Sequence, residues 1–434
     1  MSLNKRLYVI CLGCPKNRVD LEKALPSLKS VGVDLTADVN EADIVLVNTC
    51  AFIPEARLES ENVIRSLQKW RMSSSDRRIL AMGCWPLYQK EDMKYADGTV
   101  WGHKADDMLH ILYRIYGLDK TFIYNNVAGR LLTTPKSYAY LSIAEGCDGN
   151  CTYCSIPSFR GPYRSVPIKM LSREARGLLK SDIREIVLVA QDVAYYGSDG
   201  GNRENITSLV KLLCQLDTRP YWVRLMYCHP AHIPDSLLDL FGETEHLLPY
   251  MDVPIQHASN SILRAMGRNI DLRRMERIFE RLNKIENMTI RTTVMTGFPG
   301  ETERDVEILI SFLEEFGVHH VGAFEYCQEP KAPSCRMRNQ LPWEVAHERA
   351  ERIRGWAEKR ALDRHRGRVG NYEEVLIDEE IKDGIWECRS MAEAPEVDPF
   401  ILVDPGEEKI LGNEFMRLRI ISAEAGYLRG VPAP

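Results

Sequence analysis

The 434-residue sequence has no apolar run long enough to cross a membrane, and its start, Met1-Ser-Leu-Asn-Lys-Arg6, lacks the apolar stretch that follows the charges of a secretion signal. Both absences lead to the expectation of a cytoplasmic protein with no membrane contact. A surplus of positive charge is missing as well. With 56 Lys and Arg against 62 Asp and Glu the net charge is −6, so whole-chain electrostatics give no reason to expect a nucleic-acid partner. Nor do the twelve cysteines show the two-pair spacing of a structural zinc site or the four-cysteine run of a ferredoxin. In a reducing compartment, clustered cysteines read as metal ligands or reactive thiols rather than disulfides. The length exceeds what one core usually serves, so two or three domains are expected.

What stands out against this background is Ala144-Glu-Gly-Cys147-Asp-Gly-Asn-Cys151-Thr-Tyr-Cys154. Three thiolates at this Cys-x3-Cys-x2-Cys spacing can hold three irons of a 4Fe-4S cube and leave the fourth iron open to chelate a small molecule. Gly146 and Gly149 allow the chain to wrap tightly, and the preceding Tyr138–Ala144 stretch alternates and is β-prone, so the cysteines leave the end of a strand.

Residues 1–136 repeat a strand-loop-helix pattern. Leu7–Leu12, Ala42–Asn48 and Arg78–Met82 are apolar runs of the parallel-sheet kind, and each releases a cysteine: Cys14, Cys50 and Cys84. Any one of these alone reads as a small buried hydrophobe. Three at equivalent positions of three βα units, at the carboxyl edge where open α/β sheets bind ligands, favour a second cluster site. Cys11 lies within a strand, and packing accounts for it.

Residues 137–365 continue the alternation. Glu185–Ala190, Trp222–Tyr227, Tyr250–Pro254, Met288–Met295 and His320–Tyr326 read as strands separated by helices. With the strand that carries the cysteine loop, they make six βα units, which suggests a partial, open barrel with its chemistry at the strands' carboxyl ends. Gln191 and Asp192, Tyr227 to His229, Gln256 and His257, and Glu325 and Tyr326 fall there. The turn Thr296-Gly297-Phe298-Pro299-Gly300-Glu301-Thr302 can bring backbone amides at a helix start against an adenine, a ribose or a carboxylate. The candidate cofactor contacts are therefore Gly297, Phe298, Pro299, Gly300, Glu301, Gln191, Asp192, Gln256 and His257. For Asp192, His229 and His257 a hydrogen-bonded core or rim role is an equal alternative. Cys214, Cys228, Cys327, Cys335 and Cys388 show no ligand spacing.

A charged helix over Trp343–Arg366 precedes residues 366–434, where short strands over Tyr372–Asp378, Gly384–Arg389, Phe400–Val403 and Phe415–Ile421 suggest a small β-barrel. This module holds 8 Lys and Arg against 15 Asp and Glu, which would repel phosphate and attract a basic protein.

Together the segments Leu12-Gly-Cys-Pro-Lys-Asn17, Glu145 to Pro157 with Arg160-Gly161, and Arg389-Ser-Met-Ala-Glu-Ala-Pro-Glu-Val-Asp398 resemble the radical S-adenosylmethionine methylthiotransferases over essentially the whole chain. Within them the chain is similar to the branch that modifies a ribosomal protein; the tRNA-modifying branch typically has Gln-Met-Asn where Pro15-Lys16-Asn17 stands here. The resemblance implies an α/β protein in three parts: an N-terminal parallel α/β domain (1–136), a partial (βα)6 radical barrel (137–365) and a small antiparallel β-barrel of the TRAM type (366–434). It implies two 4Fe-4S clusters, S-adenosylmethionine, an electron donor and a sulfur source. It also implies transfer of a methylthio group to the β-carbon of an aspartate in small-subunit ribosomal protein twelve. The alternatives are the same chemistry on a tRNA adenosine, and a non-catalytic iron-sulfur electron carrier, against which the turn at Gly297 to Glu301 argues.

Overall fold

A computed structural model describes residues 3–102, 105–117, 129–200, 204–382, 384–404, 406, 410–424 and 426–433. By contacts the chain forms two compact units. The first is Met1–Thr133 with Ser155–Gly161; the second is Thr134–Cys154 with Pro162–Pro434.

In the first unit, β1 (Lys5–Cys11), β2 (Val33–Leu35), β3 (Ile44–Thr49), β4 (Arg78–Gly83) and β5 (Gly98–Thr99) make a parallel sheet in the order β2-β1-β3-β4-β5. The three apolar runs occupy its centre, and β3 is buried along its whole length. The two edge strands were not foreseen, because segments of three and two residues are too short to carry a periodic signal. Register then does the assembling: Cys11 lies opposite Asn48, and Thr49 opposite Gly83. The chain therefore leaves three neighbouring strands at one edge, with Cys14 at the cap of the helix Pro15–Ser30 and Cys84 opening the helix Cys84–Gln89. Gly83 has φ +97°, and a Cβ there would come within 2.9 Å of the Thr49 backbone nitrogen, so only glycine makes this strand-to-helix corner.

In the second unit, β6 (Tyr138–Ser142) is followed by the short pair β7 (Ala144–Glu145) and β8 (Arg164–Ser165), which flanks the cysteine loop. β9 (Glu185–Val189), β10 (Trp222–Leu225), β11 (Leu247–Asp252), β12 (Thr289–Thr296) and β13 (His320–Glu325) complete an open six-stranded parallel sheet in the order β13-β12-β11-β10-β9-β6, as six βα units require. One continuous apolar core joins the sheet to its helices, from Leu141 and Leu188 through Val223 and Met251 to Phe279 and Phe312. Among the described residues no helix is long and apolar enough to cross a membrane.

The helix Trp343–Arg368 leads into β14 (Tyr372–Lys382), β15 (Ile385–Ser390), β16 (Phe400–Val403), β17 (Phe415–Ala423) and β18 (Tyr427–Pro432), a closed barrel in the order β14-β15-β16-β18-β17. The small antiparallel β-barrel expected from sequence is present, and the structure adds two details to the strands read there. There is a fifth strand, β18, which a glycine and a proline disguise, and it pairs with β16 in parallel. The parallel pair follows from connectivity: β17 pairs antiparallel with β14, so the strand returning from it runs in the same direction as β16 when it closes the barrel.

The connection between β15 and β16 ties this barrel to the six-stranded parallel sheet. Glu396 accepts hydrogen bonds from the Tyr138 and Tyr140 hydroxyls, both at 3.0 Å, and Asp398 accepts from Tyr250 at 2.6 Å. Arg389 reaches Glu185 at 2.6 Å and Asp378 at 2.7 Å, while Arg224 also bonds Glu185 and donates to the Met391 carbonyl at 2.9 Å. Arg224, Glu185 and Glu393 are fully buried, so this is a desolvated ionic seam in which each charge depends on its partners. It also engages five of the fifteen acidic residues that suggested a basic partner: Glu373 and Glu393 pair with Arg368, and Asp378, Glu396 and Asp398 are engaged as above. Glu374, Glu379 and Glu380 stay exposed.

Candidate active site

The cysteine loop of the second unit is built to face a ligand. Cys147, Cys151 and Cys154 carry thiols that form no disulfide, and each is partly exposed. The Gly149 N–H donates to Cys147 Sγ at 3.2 Å, and a Cβ at 149 would lie 3.1 Å from that sulfur and 4.0 Å from Cys151 Sγ. The glycine thus keeps clear the space that a cluster bound by these sulfurs would fill. The loop is clamped from one side: Thr152 bonds the carbonyls of Met266 and Ala265, and Arg268 donates to the Tyr153 hydroxyl at 3.0 Å.

Around the strand ends, Asp192 is buried and accepts from the His229 backbone N–H at 3.2 Å; its other oxygen lies 2.5 Å from His232 Nδ1. Tyr195, His232 and His229 form a stack with centroid spacings of 4.6 and 5.0 Å. Burial, aided by Arg268, lowers the His229 pKa to about 2, so its ring stays neutral. Ligand atoms of Asp192, His229 and His232 lie within 4.8 Å of one another, yet Asp192 and His232 already satisfy each other and His229 Nδ1 accepts from Ala231 N–H, so the trio needs no ion. Gln191 Oε1 is buried without a hydrogen-bond partner.

The glycine turn has its own structural work. Phe298 is fully buried against Tyr326, Ile262 and Met266, and Pro299 is buried too. Glu301 accepts from the Gly297 N–H at 3.0 Å and from Arg349 at 2.8 Å, with His257 Nε2 3.5 Å from its second oxygen. His257 is fully buried, its Nδ1 accepting from the Ala258 and Ser259 N–H groups. Gln256 has φ +66°, and its backbone bonds to Thr293 and Met295 at the end of β12. Gly300 and Thr302 are the exposed members of the turn.

Gly297 has φ +77°, and a Cβ there would overlap that of Ala346 and lie 2.9 Å from the Ala346 Cα. Gly297→Ala is expected to cost about 2–4 kcal/mol, from left-handed strain plus overpacking. Ala346→Gly in the same chain should restore part of the loss in thermal midpoint. A single Gly297→Ala as stable as the parent would show that the turn tolerates a side chain.

In the first unit, Cys14 is exposed, Cys50 is half-buried and Cys84 is buried, all as free thiols. Burial raises the Cys50 and Cys84 thiols, Cys84 to about 12, and the neighbouring Cys14 sulfur adds to both, as expected of three thiols gathered at one edge. Such a donor set fits an iron-sulfur cluster, whose metal charge reverses this preference and holds the thiolates. Asn17 links the three loops. Its amide donates to the Thr49 carbonyl at 3.0 Å, its carbonyl accepts from Asn48 at 2.8 Å, and its Oδ1 accepts from Cys84 at 3.2 Å. Asn17, Arg160 and His232 were not named as site residues from sequence, although the first two stand in motifs that carry the family resemblance.

Three family matches cover most of the chain: the uncharacterized protein family UPF0004 over residues 6–101, the radical SAM superfamily over 141–313 and the TRAM domain over 369–432. Curated relatives align over nearly the full length. The ribosomal protein uS12 methylthiotransferase RimO of Desulforudis audaxviator is 39% identical, covering 98% of this chain and 96% of its own. That of Lachnoclostridium phytofermentans is 34% identical, covering 98% and 99%. The chain belongs to the RimO family. Membership makes it a radical S-adenosylmethionine methylthiotransferase with a TRAM domain, and the superfamily implies a 4Fe-4S cluster and S-adenosylmethionine. The fold is shared more widely. The methyltransferase TsrM of Kitasatospora setae superimposes with a TM-score of 0.54 at 14% identity over 77% of each chain. OxsB gives 0.52 at 10% identity over 82% of this chain and 56% of its own.

Proposed function

We propose that this RimO-family chain installs a methylthio group on the β-carbon of an aspartate of ribosomal protein uS12. The observation that carries this reading is the pair of three-cysteine sites, one at the sheet edge of each unit, in a chain that aligns end to end with uS12 methylthiotransferases. Cys147, Cys151 and Cys154 would hold the cluster that works with S-adenosylmethionine; Cys14, Cys50 and Cys84 would hold a second 4Fe-4S cluster. When bound, these groups supply one-electron chemistry able to remove hydrogen from an unactivated carbon and to deliver sulfur to it.

The chain's own residues bind, orient and exclude. Gly149 keeps the sulfurs of the first site unobstructed, and Gln191 offers a buried, unpaired acceptor at the strand ends. The exposed Gly300, held by its N–H to the Asn339 carbonyl, offers backbone to an approaching cofactor, and Glu301 with His257 and Arg349 braces the turn from behind. The neutral His229 is no imidazolium acid, which suits a reaction at a carbon whose hydrogen is not acidic. An external electron donor and a sulfur source complete the reaction, and the ribosome places it in the cytoplasm. The exposed Glu374, Glu379 and Glu380 would meet a basic ribosomal protein and repel tRNA.

The test is anaerobic reconstitution with reductant, sulfide and S-adenosylmethionine, followed by mass measurement of uS12 and of tRNA. A methylthio group in place of hydrogen is expected on uS12 alone. The Cys14, Cys50 and Cys84 triple Ala variant should lose this product while still cleaving S-adenosylmethionine. Product on tRNA and none on uS12 would refute the substrate, and product from the triple variant would refute the second cluster's role.

A further inference from the structure

Arg160 closes the short helix Ile156–Arg160, six residues beyond Cys154 in the chain, and its side chain lies in the first unit, 2% exposed. Its Nε and Nη2 lie 3.3 and 3.1 Å from Cys84 Sγ. Nη2 also donates to Asn17 Oδ1, and Nη1 bonds Asp20 Oδ2 at 3.0 Å. A guanidinium presents its donors in a rigid plane, so the Asp20 and Asn17 bonds fix where the remaining edge points: at a sulfur proposed above as a cluster ligand. Asn17 is itself held by Thr49 and Asn48, and Gly13 makes room for it, since a Cβ at 13 would overlap the Asn17 side chain.

Burying a cation is costly unless it is paired, and an anchoring role for this helix would be met by Asp20 and backbone carbonyls. Two nitrogens on one cysteine sulfur instead put positive charge and hydrogen bonds where a cluster's negative charge grows on reduction. We propose that Arg160 is a positioning residue that favours the reduced state of the cluster held by Cys14, Cys50 and Cys84, with Asp20 limiting its effect and Asn17 aiming it. This rests on the reading that those cysteines hold a cluster. Hydrogen bonds and net charge at cluster sulfurs are among the determinants of reduction potential.

The experiment uses the full chain with Cys147, Cys151 and Cys154 replaced by Ala, so that any cluster present is the one in question, and reads iron content and potential by spectroscopic redox titration. Arg160→Met should shift the oxidised-to-reduced ratio at a given potential about tenfold toward the oxidised form, about 59 mV for one electron. Arg160→Lys should recover part of the shift, and Asp20→Asn should move it the other way. A purely structural Arg160 would change iron loading or thermal midpoint and leave the potential where it was. An unchanged potential in iron-replete Arg160→Met overturns the proposal. If that variant loads poorly, an unchanged potential in Asp20→Asn overturns it instead. Absence of any cluster before Arg160 is altered would overturn the two-cluster reading and this role with it, an outcome distinct from an unmoved potential.

Discussion

Replacing Cys147, Cys151 and Cys154 together by Ala is expected to remove about half of the bound iron and sulfide and to take cleavage of S-adenosylmethionine below detection. The expectation follows from the division of labour between the two cysteine sets. This loop follows the first strand of the radical sheet, has the Gly149 N–H on the sulfur of Cys147, a proposed ligand, and is kept open by the missing side chain at 149. Methylthio transfer should vanish too, whereas the Cys14, Cys50 and Cys84 replacements are expected to remove transfer alone. Iron and sulfide assays, with chromatography of the nucleoside product, check it. Retained cleavage in the loop variant, or an iron content equal to that of the parent, would defeat the assignment.

Arg389→Met is expected to destabilise the second unit by about 3–5 kcal/mol, the range for removing one partner from a buried ion pair. Arg389 is 1% exposed and serves two carboxylates at once, Glu185 at 0% and Asp378 at 7%. Burial alone would raise the Glu185 carboxyl; Arg224 and Arg389 outweigh it and hold it below its ordinary value. A carboxyl depressed in the fold stabilises above its unfolded pKa and loses that contribution as pH falls. Without Arg389 burial gains weight, and the Glu185 carboxyl in the variant rises toward or beyond its unfolded value. The deficit should therefore be largest near neutrality and shrink as pH is lowered. Glu393 adds a background common to both proteins: against its burial, Arg368 and Ser390 hold it down to about 2, so stability falls as pH drops from about 4.5 toward 2. Urea unfolding from pH 7 to pH 4 measures the difference, and a deficit that grows with acid would refute this electrostatic origin.

Much of this protein is legible in its residues. The apolar runs at Ile44–Thr49 and Glu185–Val189 announce buried parallel strands, and the cysteines that follow such runs fall at sheet edges because every parallel strand ends on the same side. Local pattern stops there. Val33–Leu35 and Gly98–Thr99 pair only because a neighbour is already in place, and Tyr427–Pro432 is a strand because the barrel has a gap to close. The acidic balance of the last seventy residues or so looked like a surface property, but Glu396 meets Tyr138 across a separation of 258 residues and Arg389 meets Glu185 across 204. No window along the chain sees such pairs. Arg160 was hidden for the same reason: its neighbours in sequence are a cluster loop, and its partners in space, Asp20, Asn17 and Cys84, lie 140, 143 and 76 residues away.

The nine-residue connection from Ser390 to Asp398 has a bearing on how such enzymes can be cut and recombined. It leaves the small barrel and supplies hydrogen-bond partners to buried tyrosines of the six-stranded sheet, so the terminal module is no detachable reading head. A deletion of the residues after about Arg366 would remove the carboxylates that hold the Tyr138, Tyr140 and Tyr250 hydroxyls and the Met391 carbonyl that accepts from Arg224. Lost substrate binding in such a deletion would then report a damaged catalytic scaffold as much as a missing docking surface. A chimera carrying a foreign terminal barrel would keep its fold only if this connection, with Arg389 and Asp378, were transplanted along with the residues of the sheet that receive it.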